Sequence, residues 1–208
     1  DEARRLARTT PSLAGFVILA AVRGRTPGIH HHNVWFPDRY EDEFDAIFSG
    51  RVPQDPAIYA CVPADPAMTP DADHESWFLL INAPRHDPGR GTDWTSPGLA
   101  DAYAQRILDL LAERGTDIRS RLLWHEVRTP ADLQATTGAP GGSIYGTSSN
   151  GSRAAFQRPA NASPIPGLYL VGGSAHPGGG LPLVGMSAEI VATLIGRADE
   201  NAPTSERA

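Results

Sequence analysis

The chain has 208 residues, a net charge of −6 and an apolar content of 40%, enough for one large domain, or parts of two, around a buried core. The acidic balance excludes a strong electrostatic pull to nucleic acid. The best membrane-span candidate, residues 13–22, falls far short of the roughly 20 apolar residues a span requires. All 18 basic residues are arginine. With the many Ala, Pro and Gly, this reflects GC-rich coding rather than an arginine-specific function. The single cysteine, Cys61, excludes an internal disulfide and fits a reducing, cytoplasmic setting. Its apolar surroundings suggest a buried, inert thiol.

Residues 1–8 are charged and read as the tail of a helix. Residues 12–22, rich in Val, Ile, Leu and Ala, form a strand pattern, followed by a Gly/Pro turn at 23–28. A second strand is expected at 30–36, ended by Pro37. Residues 38–48 read as an amphipathic helix with Tyr40, Phe44, Ile47 and Phe48 on one face and the acidic run 38–45 as its solvated side. Further strands are expected at 57–62 and 77–82. The clearest helix is 99–113, with Tyr103, Ile107, Leu110 and Leu111 as its apolar stripe and Gly115 as its stop. A strand follows at 121–127. Thr129 then suits an N-cap, with Pro130 at the first helical position. A Gly/Ser loop covers 138–151, and 152–166 look irregular. There are no internal repeats.

Residues 166–191 carry the most chemistry. Residues 168–171 form a short apolar run fit for a buried strand. Gly172 and Gly173, then Gly178, Gly179 and Gly180, permit sharp turns and close approach to the backbone. Pro182 opens a helix on which Leu183, Met186, Ile190 and Leu194 recur at helical spacing. A glycine loop entering a helix presents unpaired N–H groups at the positive end of the dipole, favouring a phosphate, a carboxylate or an electron-rich ring edge. On local physics alone, the same stretch also suits a plain strand-turn-helix packing unit.

The ordered run Leu168-Tyr169-Leu170-Val171-Gly172-Gly173-Ser174-Ala175-His176-Pro177-Gly178-Gly179-Gly180-Leu181-Pro182, with Ser187-Ala188 after it, resembles the C-terminal flavin-binding motif of the phytoene (carotenoid) desaturase family of FAD-dependent oxidoreductases, relatives of the amine oxidases. His31-His32-Asn33-Val34, the segment from Arg128 to Leu133 and Gly141-Gly142-Ser143-Ile144-Tyr145-Gly146 occur in the order expected of that family. The resemblance spans most of 12–197 and is strongest from Thr129 onward. It implies FAD as cofactor, with Gly172, Gly173, Ser174, His176, Gly180, Leu181, Pro182 and Leu183 at the flavin and the helix start aimed at its pyrimidine side. Gly173 stands where amine oxidases carry an acid for the ribityl hydroxyls, which fits the desaturase pattern better. The implied reaction is dehydrogenation of an apolar isoprenoid or polyene, with His176 the one catalytic candidate, either contacting the ring or steering a proton. The rival role for His176 is to fix the loop by a hydrogen bond.

The family's other hallmark, Gly-x-Gly-x-x-Gly after a first strand, is missing from this sequence. The chain is therefore expected to be the C-terminal part of a larger flavoenzyme, with weak or absent FAD affinity by itself. Its partners would be the N-terminal FAD-binding half, an apolar small-molecule substrate and, through the unpaired strand at 168–171, other copies of itself. Peripheral membrane contact suits such a substrate. The expected fold is α/β or α+β: a mixed sheet with helices as a substrate-side domain over 1–150, the last strand and helix of the FAD fold over 151–200, and a disordered tail at 201–208. Other flavin reactions on the same scaffold, namely polyene saturation, isomerisation or oxidation, and a non-catalytic binding module are the alternatives. No metal site is expected: strand alternation would set His30 and His32 on one face and His31 on the other, without further ligands. Trp35, Phe36, Trp77, Phe78, Trp94 and Trp124 are candidates for a substrate channel or for the core.

Overall fold

The computed structural model describes residues 4, 9–69, 71–148 and 158–197. The expectations for 1–8 (apart from Arg4), for 152–157 and for the tail at 201–208 fall outside the described residues. The chain divides into two compact units.

The larger unit, Leu13–Ile144, is built on a five-stranded sheet in the order β2-β3-β4-β1-β5. The strands are β1 (Ala14–Arg23), β2 (His32–Trp35), β3 (Ile58–Cys61), β4 (His74–Ala83) and β5 (Leu122–Arg128). Every neighbouring pair is antiparallel, which corrects the expected mixed sheet. The physical reason lies in the connection from β4 to β5. Its helix carries the chain over β1 rather than next to β4, so the two strands of like direction are separated by an opposed one.

Period-two alternation divides β1 between two faces. Phe16, Ile18, Ala20 and Val22 are buried on one side, joined by Trp77, Leu79 and Ile81 of β4 and Ile58 and Ala60 of β3. Helix α2 (Leu99–Glu113) closes this core with Tyr103, Ile107, Leu110 and Leu111, the stripe its spacing suggests. Phe16 sits edge-on to Tyr103 (centroids 4.9 Å apart, 72°) and 5.3 Å from Trp94. Helix α1 (Tyr40–Phe48) sets Tyr40, Phe44 and Phe48 on one face, as its spacing suggests, in a ladder of ring contacts that begins at Phe36. Ile47 is buried, but Tyr40 and Phe48 are exposed. Glu43 of the acidic run is buried rather than solvated. Its carboxylate accepts from Ala57 N–H at 2.7 Å and Asn82 Nδ2 at 2.9 Å, which compensates the burial of its charge.

Helix α3 (Pro130–Thr137) starts as the sequence suggests. The Thr129 hydroxyl accepts from Asp132 N–H, and the Asp132 carboxylate accepts from Thr129 N–H at 2.8 Å, closing a capping box. The turn Pro140–Gly142 packs against the start of this helix so closely that a Cβ on Gly142 (φ +69°) would lie 2.0 Å from the Pro130 carbonyl oxygen.

The smaller unit joins the described residues up to Ser12 with those from Tyr145 onward. Helix α4 (Leu181–Ile195) is its one long element among the described residues. The run 168–171 is not a strand. Its pairing is confined to the bridge Ala162↔Tyr169, flanked by Leu170 N–H to Asn161 O at 2.8 Å. A strand is defined by its neighbours, and among the described residues no parallel partner lies beside it.

Candidate functional site

The glycine loop 172–180 is held from below by a few polar side chains. Asn161, buried, directs Nδ2 at the carbonyls of Leu170 and His176 and at Ser187 Oγ, each at 2.9 Å. Ser187, fully buried on α4, accepts in turn from Gly172 N–H at 3.2 Å. His176 N–H donates to Pro159 O at 2.9 Å. Arg158 Nη1 donates to Tyr145 O at 2.9 Å and Gly173 O at 3.0 Å, and its guanidinium lies beside Gly178. Charge-assisted bonds of this kind are the stronger class.

Two glycines are demanded by geometry. Gly180 adopts φ +105° at the helix entry, and Gly179 lies so close to the Tyr145 ring that a Cβ there would stand 2.5 Å from it. Helix α4 then begins with no side-chain cap at Gly180 and with Pro182 in its first turn. Leu181 is 89% exposed, and Gly180, Pro182 and Leu183 are exposed as well. The helix start thus presents backbone donors framed by apolar side chains. This pairing fits a flat, partly anionic ring edge with apolar faces.

The expected residues therefore meet in one loop. Gly172 and Gly173 are partly covered, Ser174 and His176 exposed, and Gly180 to Leu183 form the open helix entry. The loop-fixing role belongs to the His176 backbone. Its imidazole is exposed and has no hydrogen-bond partner among the described residues. Arg158, Asn161 and Tyr145 carry much of the geometry but were not singled out as site residues by sequence reasoning. Arg158 and Asn161 lie in a stretch without periodicity, where a lone Arg or Asn gives no signal. Ser187 belongs to the motif, but its role appears only in the structure, where it is buried and bonded to Asn161 and Gly172.

The sheet of the larger unit keeps a second, open face. Cross-strand neighbours Leu19 and Phe78, Val17 and Leu80, and Ala21 and Trp124 lie on it. A cavity of about 490 Å³ is lined there by Leu19, Ala21, Cys61, Phe78, Leu123 and Trp124, among others. Of the six aromatic candidates, Trp94 is a core residue, Trp77 is a core residue that also borders this cavity, Trp35 is partly buried against the core and Phe36 is 61% exposed, while Phe78 and Trp124 line the cavity.

At the edge of that face, the ligand atoms of His31, His32 and Cys61 lie within 4.8 Å of one another. This corrects two expectations. His31 precedes β2, which begins at His32, so strand alternation does not turn its ring away. Cys61 is only partly buried, and it pairs directly with His32 across β2 and β3.

No family model matches the chain. Among curated proteins, it is 35% identical to a 4,4'-diapolycopene oxygenase of Methylomonas sp over 92% of this chain and 39% of that protein. It is 37% identical to a hydroxyneurosporene desaturase of Rubrivivax gelatinosus over 86% of this chain and 34% of that protein. It is also 35% identical to a 4,4'-diapophytoene desaturase (4,4'-diaponeurosporene-forming) of Staphylococcus aureus (strain MRSA252), over 79% of this chain and 34% of that protein. The chain spans between a third and two fifths of the length of these relatives.

Proposed function

We propose, for a chain that is a carotenoid desaturase-like oxidoreductase segment by homology over most of its length, that it forms the flavin-facing loop and the substrate-side sheet of an FAD-dependent enzyme acting on a polyene. The observation that carries this reading is the uncapped, exposed start of α4 behind a positive-φ glycine. The chemistry FAD supplies when bound is acceptance of a hydride from a saturated bond beside the polyene, with a proton lost from the neighbouring carbon.

The chain's own residues have defined tasks in this reading. The backbone of 172–173 and 180–183 would hold the cofactor. The α4 N-terminus would stabilise negative charge on its ring edge. Asn161, Ser187 and Arg158 hold the loop in shape before the cofactor arrives, which lowers the ordering cost of binding. His176 is the titratable side chain that the loop exposes, and it is the candidate for steering the departing proton. The open sheet face, with Phe78, Leu80 and Trp124, offers the apolar surface a long isoprenoid requires. The exposed apolar residues of α4, Met186, Leu194 and Ile195 among them, suit cover by further chain of the full-length protein, since a contiguous apolar helix face is ordinarily buried.

A second reading, oxygenation of a carotenoid end group, is favoured by the relatives named as oxygenases. One experiment separates the two. The full-length protein, purified with its flavin, is mixed with an acyclic C30 or C40 polyene and the product is weighed by mass spectrometry. Loss of two hydrogens supports dehydrogenation, and gain of oxygen supports the second reading. Absence of flavin together with unchanged polyene overturns both.

A further inference from the structure

We propose that His31, His32 and Cys61 form a binding site for one thiophilic divalent cation of the zinc class. The site belongs to the larger unit alone, and the flavin reading does not require it. Its geometry follows from the register of β2 and β3, which sets His32 directly opposite Cys61. The backbone fixes the third member: His31 O accepts from Val62 N–H at 2.8 Å, just outside the strand pair. The two imidazoles then stand 4.5 Å apart, centroid to centroid, with their planes at 59°. All three ligand atoms fall within 4.8 Å, so small side-chain rotations would bring them onto a single ion with bonds of about 2.0–2.3 Å to nitrogen and sulfur.

The donor set decides the class of ion. Two imidazoles and one sulfur are borderline to soft, which disfavours magnesium and calcium and favours zinc or cobalt(II). Three protein ligands leave a fourth position of a tetrahedron for solvent. A supporting contact is also present. One ring nitrogen of His32, Nδ1, lies 2.9 Å from the Tyr59 hydroxyl, which fixes the ring's orientation at the edge of the site as outer partners of ligating histidines do. Cys61 also borders the apolar cavity, so a bound ion would pin the short edge strand β2 to β3 at the cavity rim.

The test is cobalt(II) titration of the purified full-length protein, with zinc stoichiometry measured after dialysis. The expected result is one ion per chain and a thiolate-to-cobalt charge-transfer band. Cys61→Ser abolishes that band, and His31→Ala weakens binding by at least about 10-fold, the scale set by outer-shell changes. Tyr59→Phe weakens it by about 10-fold with the band kept. Circular dichroism screens each variant for folding, and His31→Ala, outside any strand, serves where Cys61→Ser does not fold. Absence of the band in the wild-type protein, or undiminished binding in the folded variants, overturns the proposal.

Discussion

Asn161 and Ser187 meet across 26 residues of chain: the amide Nδ2 donates to the hydroxyl oxygen at 2.9 Å, and both groups are buried. The same amide serves two loop carbonyls, and the same hydroxyl accepts from Gly172 N–H. Asn161→Asp keeps the size and removes the donors. Each buried group left unsatisfied costs about 1–3 kcal/mol. The expected outcome is a full-length protein purified with a markedly lower flavin-to-protein ratio. A ratio equal to wild type by absorbance would show that the loop does not depend on this node.

His176 gives the opposite expectation for cofactor content. The loop is held there by backbone groups and the imidazole is exposed. His176→Ala should retain flavin and slow its anaerobic reduction by substrate about 100-fold, the lower range for a lost proton-transfer group. An unchanged rate removes the catalytic role.

At the α3 start, Thr129→Ala breaks the capping box with Asp132. The expected loss is about 1 kcal/mol, read from the urea midpoint at constant slope. Gly142→Ala should be far worse. Its Cβ would collide with the Pro130 carbonyl at 2.0 Å, and φ is +69°. Neither backbone can give way without displacing the helix start, so loss of soluble protein on expression is the expected outcome.

Asp117 supplies a pH dependence with a definite sign. The Arg119 guanidinium bonded to its carboxylate at 2.8 Å, with help from Arg119 N–H, holds its pKa at about 2 against an ordinary 3.8. A carboxylate depressed in the folded state stabilises above its unfolded value and loses that contribution as pH falls through the folded one. The affected window therefore runs from about 4 down to about 2. Asp117→Asn should lose less stability across that window than wild type in denaturant titrations, with the difference shrinking in high salt because the pair is exposed.

Legibility of the sequence followed local physics. Helix α2 is legible to the residue because its apolar stripe and the Gly115 stop agree. The Thr129 cap was legible because a capping residue and its proline are neighbours in sequence. Failures came where distant chain decides. The run 168–171 has strand composition but no strand partner among the described residues. Glu43 reads as a solvated acid, but Ala57 and Asn82 bury it. The approach of Cys61 to His32 depends on a register that no local spacing reveals. Within the loop, glycines and the helix entry were legible, while Arg158 and Asn161 were hidden in an aperiodic stretch.

Strand β1 sits at the inside of the sheet, yet it precedes the sheet's other strands in the chain. Its register partners lie far along the chain: Ala14 pairs with Ala83, and Val17 with Arg128. Loop-closure entropy must be met before either pairing is rewarded, so such a topology folds slowly. On the ribosome, the apolar β1 would emerge well before β4 and β5 exist to cover it. At ordinary elongation rates of about 5–20 residues per second, that interval lasts seconds. Within this sheet, β1 is therefore the strand that waits longest uncovered, and the one through which a chaperone, or a misassembled neighbour, would engage this unit.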